Sequence, residues 1–89
     1  MQLGELLTLL APLDPQLQFG MEAKPPTPIT AVIPTDSRLI LAVEIDGTPL
    51  TINQFRTLVT EADAQLTVQT AQHDRLFGFR QSQRWLLFK

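Results

Sequence analysis

The stretch from Thr51 to Thr70, TINQFRTLVTEADAQLTVQT, predicts a capped amphipathic helix that leads through a tight turn into a strand. Thr51 can cap the helix because its hydroxyl can accept from the backbone N–H of Gln54, whose side chain can reach back to the cap. The apolar residues recur first at the spacing of a helix and then at the two-residue period of a strand: Ile52, Phe55, Leu58, Val59, Ala62, Leu66 and Val68. Such a helix must bury its apolar face against another element.

The same pattern occurs at the start of the chain, in QLGELLTLLAPLDPQLQFGM from Gln2 to Met21. Aligned without gaps, the two stretches have identical residues at five positions of the first copy: Thr8, Leu9, Asp14, Gln16 and Leu17. Farther along, PTDSRLIL at Pro34–Leu41 aligns with RQSQRWLL at Arg80–Leu87. Two interpretations stay open: an internal duplication, with pseudo-repeats at about 1–45 and 50–89, or two similar elements that require similar residues.

Strand-like segments fill most of the remaining sequence. We expect strands at residues 17–21, 29–33, 38–45, 66–70, 75–80 and 83–88, the last two joined by a hairpin turn at Gln81-Ser82. The element order is then αβββ-αβββ. It predicts a single α+β domain over residues 1–89, with an antiparallel-rich sheet and both helices on one face.

The composition limits what such a domain can be. A chain of 89 residues without cysteine has one small core and neither disulfides nor thiolate metal sites. Charged residues make up 18% of the chain, less than the usual ~25%, which favours a homodimer or a docked partner protein. No apolar run is long enough to span a membrane, and the N-terminus lacks the basic start of a signal peptide, so we expect a cytoplasmic protein.

The opening residues MQLGELLTLLAPLDPQLQF resemble the start of small bacterial and phage proteins of unknown role. Those proteins begin with a "GELI…L…LDPD…V" helix, turn and strand. The resemblance covers about residues 1–45 and implies a fold rather than a chemistry. Gln16 stands where those proteins usually have an acidic residue.

Cationic and aromatic side chains are interleaved near the end of the sequence. We expect the binding surface for a partner to comprise Arg75, Phe77, Phe79, Arg80, Arg84 and Trp85. Tryptophan is a frequent anchor of protein interfaces, and a basic tail on an acidic body suits an acidic partner. The sequence therefore predicts a non-enzymatic protein-interaction or accessory module of a larger bacterial or phage assembly, with another protein or a second copy as partner.

A second interpretation of the same hairpin is single-stranded nucleic-acid binding, in which the arginines contact phosphates and the rings stack on bases. The net charge of −2 opposes it. A third interpretation assigns the rings to the core and the cations to the protection of an edge strand.

Catalytic residues are sparse. His73-Asp74 and Ser82 are the only triad-type set, and neighbours on one turn rarely point at each other. The glycines are isolated, so no phosphate-binding loop is present. We expect neither enzymatic activity, nor a cofactor, nor a metal.

Overall fold

The computed structural model describes residues 1–70, 76 and 78–89. Its elements follow one another along the chain as α1 (Leu3–Leu10), β1 (Gln18–Met21), β2 (Thr27–Pro34), β3 (Arg38–Val43), α2 (Ile52–Leu58), β4 (Thr67–Thr70), β5 (Phe79–Ser82) and β6 (Trp85–Phe88). The predicted α+β class is confirmed.

The six strands form one mixed sheet in the order β4-β3-β2-β1-β6-β5. β1–β2, β2–β3 and β5–β6 are antiparallel, whereas β1–β6 and β3–β4 are parallel. A parallel pair needs a crossover, and α2 supplies it between β3 and β4. The pairing of β1 with β6 joins the beginning of the chain to its end.

Both helices begin with hydrogen bonds that their own sequences provide. At α2, the Gln54 N–H donates to Thr51 Oγ1 over 3.1 Å, and the Thr51 N–H donates to Gln54 Oε1 over 2.9 Å. At α1, Glu5 Oε1 accepts from the Gln2 N–H over 3.2 Å. These bonds satisfy amide groups that the first turn of a helix leaves free, so the cap predicted at Thr51 is confirmed.

A single hydrophobic cluster holds the helices against the sheet. The ring centroid of Phe19 on β1 lies 4.8 Å from that of Phe55 on α2 and 5.0 Å from that of Phe88 on β6. The fully buried members of the cluster are Leu3, Leu6, Leu10, Phe19, Ile29, Leu41, Ile52, Phe55, Val68, Leu86 and Phe88. Both helices therefore bury their apolar faces in the same core.

The two helix-to-strand units make matching hydrogen bonds to the opposite half of the chain. The Gln18 N–H, at the start of β1, donates to the Arg84 carbonyl over 2.8 Å. The Thr67 N–H, at the start of β4, donates to the Ser37 carbonyl over 3.1 Å. Each of these strands thus begins against the hairpin turn of the other half.

The first turns of the two helices also make matching hydrogen bonds to the opposite half of the chain. The Leu3 N–H donates to the Leu66 carbonyl over 2.8 Å, and the Ile52 N–H donates to the Leu17 carbonyl over 3.0 Å. Each helix therefore uses one of its free first-turn amides to hold the segment that enters the strand of the other unit.

The parallel pairs also correspond in register. Gln18 pairs with Trp85 where β1 and β6 begin, and Thr67 pairs with Arg38 where β4 and β3 begin. Trp85 is thus the structural counterpart of Arg38. The sequence alignment of Pro34–Leu41 with the C-terminal segment is shifted by one residue, because it matches Arg38 with Arg84.

Several predicted boundaries are wrong. The apolar spacing extends the second helix to Ala62, but α2 ends at Leu58, which is 57% exposed. The strand predicted at 38–45 ends at Val43, because the Gly47 N–H donates to the Glu44 carbonyl over 3.0 Å and starts a turn. Ile45 is consequently 82% exposed. The hairpin turn lies at Gln83-Arg84 rather than at Gln81-Ser82, and Gln83 takes a left-handed φ of 56°.

The observed hairpin register has a packing reason. It places Phe79 opposite Phe88, and their ring centroids are 5.6 Å apart in an edge-to-face arrangement. A turn at Gln81-Ser82 would set Phe79 opposite Arg84 and lose this contact, which stabilises the pair beyond the area that it buries.

The matched contacts predict that Lys89 can be linked to Met1 by a copy of the loop that connects β3 to α2. The Leu50 carbonyl accepts from the Phe19 N–H over 2.7 Å, and the Met1 carbonyl accepts from the Val68 N–H over 2.8 Å. Met1 is therefore the counterpart of Leu50. We expect a circular permutant that starts at Gly47 and links Lys89 to Met1 through VEIDGTP to unfold cooperatively, with a free energy of unfolding within about 2 kcal/mol of the parent.

Urea unfolding followed by circular dichroism measures this free energy. The control permutant opens the chain inside α2, between Phe55 and Arg56, with the same linker. We expect it not to fold, because the cut breaks the helix at a core residue. Loss of folding in the Gly47 permutant would contradict the correspondence between Met1 and Leu50.

Candidate functional site

Four of the six predicted site residues lie in the hairpin of β5 and β6. Phe79 and Arg80 are in β5, Arg84 is in the turn, and Trp85 begins β6. The other two predicted residues, Arg75 and Phe77, lie outside the described residues.

The alternation of β6 separates two faces of the sheet. Leu86 and Phe88 belong to the core cluster, so Trp85 and Leu87 project from the opposite, outer face. Leu87 is only 3% exposed although it is outside the core cluster. A second, smaller apolar contact therefore exists on the outer face.

That contact is built around Gly20 of β1. A Cβ atom on Gly20 would lie 2.7 Å from Cε3 and Cζ3 of the Trp85 ring and 3.4 Å from a methyl group of Leu87. The indole thus lies against the backbone of β1 at a distance that only glycine permits. We call Gly20, Trp85 and Leu87 the Trp85 patch. Trp85 itself is only partly buried.

The two described arginines differ in their surroundings. Arg80 Nε lies 2.6 Å from Glu22 Oε1, with side chains that are 50% and 35% exposed. The charge of Arg80 is therefore already paired beside the patch. Arg84 is exposed in the hairpin turn and forms no ion pair with any other described residue.

Phe79 does not join this surface. Its ring packs against the core and contacts Phe88. The structure consequently divides the predicted basic and aromatic set between two faces: Phe79 lies towards the core, whereas Trp85 lies on the outer face with Arg80, the register neighbour of Leu87.

A polar cleft adjoins the patch, and the sequence analysis did not identify it. The cleft has a volume of about 520 Å³ and is lined by Asp14, Gln16, Leu17, Gln18, Thr51, Gln81, Gln83 and Arg84. These residues come from the turn before β1, the cap of α2 and the hairpin turn. The only signal of the cleft in the sequence is the abundance of glutamine. Spacing along the chain does not indicate that three distant segments lie close together in the fold.

The described part of the chain offers little for metal chemistry. No cluster of three or more His, Asp or Glu side chains occurs among these residues. His73 and Asp74 lie outside them, and Ser82 is the last residue of β5. Neither α1 nor α2 has the length and apolar composition needed to cross a bilayer.

We expect Gly20→Ala to displace the indole, because the new methyl group would overlap the Trp85 ring. The substitution should cost about 1–3 kcal/mol of unfolding free energy. It should also shift the emission of the single tryptophan to longer wavelength. In a Trp85→Ala background the ring is absent, and the same substitution should cost about 0 kcal/mol, since alanine also restricts the unfolded chain.

A double-mutant cycle with urea unfolding measures both costs. Equal costs of Gly20→Ala in the two backgrounds would mean that the ring does not rest on Gly20.

Comparison with protein-family models, curated protein sequences and solved structures gives no match for this chain. A functional assignment therefore depends on the geometry and chemistry of the Trp85 patch and the polar cleft.

Proposed function

We propose that this domain is a non-enzymatic protein-interaction module that docks on its partner through the Trp85 patch. The observation that carries the proposal is the position of the indole. It lies outside the core, is only partly buried, and rests on the backbone of β1 at Gly20.

A tryptophan in this position is suited to anchor an interface. Its ring offers a large apolar area with a polar N–H, and such residues dominate the energetics of many protein interfaces. Because one side of the ring already packs on the β1 backbone at Gly20, binding would cost little side-chain entropy. The exposed side of the ring remains available to a partner.

The charges around the patch favour an acidic partner surface. Arg84 precedes Trp85 and has no carboxylate partner among the described residues. Arg80 forms an ion pair with Glu22, and an acidic group of the partner could replace Glu22 in that pair. Such charges mainly raise the rate of association and orient the partner.

We also propose that the chain arose by internal duplication and serves as an accessory of a larger bacterial or phage assembly. The matched hydrogen bonds of the two helix-to-strand units support the duplication. The counterparts of Trp85 and Gly20 are Arg38 and Gln69. The patch is thus specific to one half. The resemblance of the first 45 residues to small bacterial and phage proteins supports the accessory role.

We expect Trp85→Ala to abolish capture of the partner in an affinity pulldown from native lysate, while the isolated domain still folds. The control is Arg38→Ala, at the equivalent register position of the other half, which should capture the partner normally. Circular dichroism checks the folding of each variant, and light scattering after size exclusion identifies a second copy as the partner.

Capture by Trp85→Ala at the parental level would refute the proposed anchor. If Trp85→Ala fails to fold, Trp85→Phe provides the test, because it keeps an apolar ring over Gly20 and removes the indole N–H and part of the area.

Single-stranded nucleic acid is the second candidate, favoured by Arg84, which lies next to Trp85 and forms no ion pair with the rest of the described chain. Phe79 in the core, the paired Arg80 and the net charge of −2 weigh against it. On this candidate, Arg84→Glu would reduce binding of a fluorescent oligonucleotide by about tenfold at low salt, and nuclease treatment would empty the pulldown. We expect the captured partner to survive nuclease treatment.

A further inference from the structure

We infer that the polar cleft binds an extended peptide segment of the partner by hydrogen bonds to the peptide main chain. This inference rests on the proposed protein-interaction function and names the part of the partner that is recognised. Three observations support it: Gln18 and Arg84 of the cleft lie beside Trp85, its side chains match amide groups, and its glutamine side chains form no hydrogen bond among the described residues.

The cleft and the patch meet at one end of the sheet, although Gln81 is the register partner of Leu86 and so lies on the core face rather than on the outer face of Trp85. Gln18, which lines the cleft, is the register partner of Trp85 across the parallel pair of β1 and β6. Arg84, which also lines the cleft, immediately precedes Trp85. A ligand anchored on the indole would therefore pass Gln18 and Arg84 at the end of the sheet to enter the cleft.

The lining matches the chemistry of a peptide main chain. Gln16, Gln18, Gln81 and Gln83 each carry a carboxamide, which offers both donors and acceptors, as does every peptide group. Asp14 and Arg84 contribute opposite formal charges. The cleft therefore has no excess of positive charge that would select a phosphate group, and its 520 Å³ is within the usual range for ligand sites.

The four glutamines that line the cleft are exposed or partly exposed. None of the four glutamine side chains donates or accepts a hydrogen bond within the part of the chain that the structure describes. The backbone around them is already engaged: the Gln16 N–H donates to Asp14 Oδ1 over 2.9 Å, and the Gln18 N–H donates to the Arg84 carbonyl. The side chains can thus bind a peptide without disturbing the frame that holds them.

A second cleft at the equivalent place provides an internal comparison. It lies where β4 begins, and its lining includes Asp63 and Leu66, the counterparts of Asp14 and Leu17. On the hairpin side, however, it has Pro34 and Asp36 at the positions that correspond to Gln81 and Gln83. The fold therefore forms this kind of cleft without the two glutamines.

The probe is a phage-displayed library of random peptides of about twelve residues, selected on the immobilised full chain. The best peptide is then synthesised, and its affinity is measured by the fluorescence of the single tryptophan and by calorimetry. We expect Gln81→Ala/Gln83→Ala to weaken binding by about tenfold or more, the effect of losing one or two net hydrogen bonds. The matched control, Pro34→Ala/Asp36→Ala in the other cleft, should bind like the parent.

Chemical modification of the peptide tests main-chain recognition directly. A version with N-methyl groups on alternate peptide nitrogens keeps every side chain but lacks those donors. We expect it to bind at least about tenfold more weakly in one of its two alternation patterns. Equal affinity of both methylated versions and the parent peptide would overturn main-chain recognition.

The outcomes separate this inference from the proposed function. Peptides whose binding is lost in Trp85→Ala but unchanged in the double glutamine variant would overturn the inference and leave the Trp85 anchor in place. The inference would also be overturned, and the Trp85 anchor kept, if the library gave no enriched peptide while the pulldown captured a folded partner that requires Trp85. Failure of both the library and the pulldown would refute both proposals.

Discussion

The parallel pairing of β1 with β6 is the constraint on which the rest of the structure depends. It places Phe19 between Phe88 and Phe55, so that the first strand, the last strand and the second helix share one core. On the other face, the same pairing places Gly20 beneath the Trp85 ring. Without this pairing, Phe19 would not contact Phe88 in the core, and the Trp85 ring would not pack on Gly20.

The outer face illustrates how a small domain can hold a large ring outside its core. The Trp85 indole is only partly buried, but one side of its ring packs on the backbone of β1 at Gly20. The remaining side lies next to Arg84 and the polar cleft. A fixed apolar ring beside free hydrogen-bonding groups is the arrangement expected of an interface anchor with a polar rim.

The two halves have matching backbone hydrogen bonds but different side chains on the outer face of the sheet. Matching hydrogen bonds fix both helix-to-strand units, whereas the side chains on the outer face differ: Trp85 stands where the other half has Arg38. Backbone contacts tolerate such changes because exposed side chains do not take part in them. The proposed binding surface therefore belongs to one half only, although both halves have the same backbone contacts.

The sequence by itself determined where both helices begin, the cap of α2 and the α+β class, because these depend on neighbours in the chain, such as Thr51 and Gln54. Only the tertiary structure decided the parallel pairings, the hairpin register and the separation of Phe79 from Trp85. It also assembled the polar cleft from three distant segments. The physical reason is range: periodicity and capping act over a few residues, whereas the contact of Gly20 with Trp85 joins opposite ends of the chain and exists only once the sheet has formed.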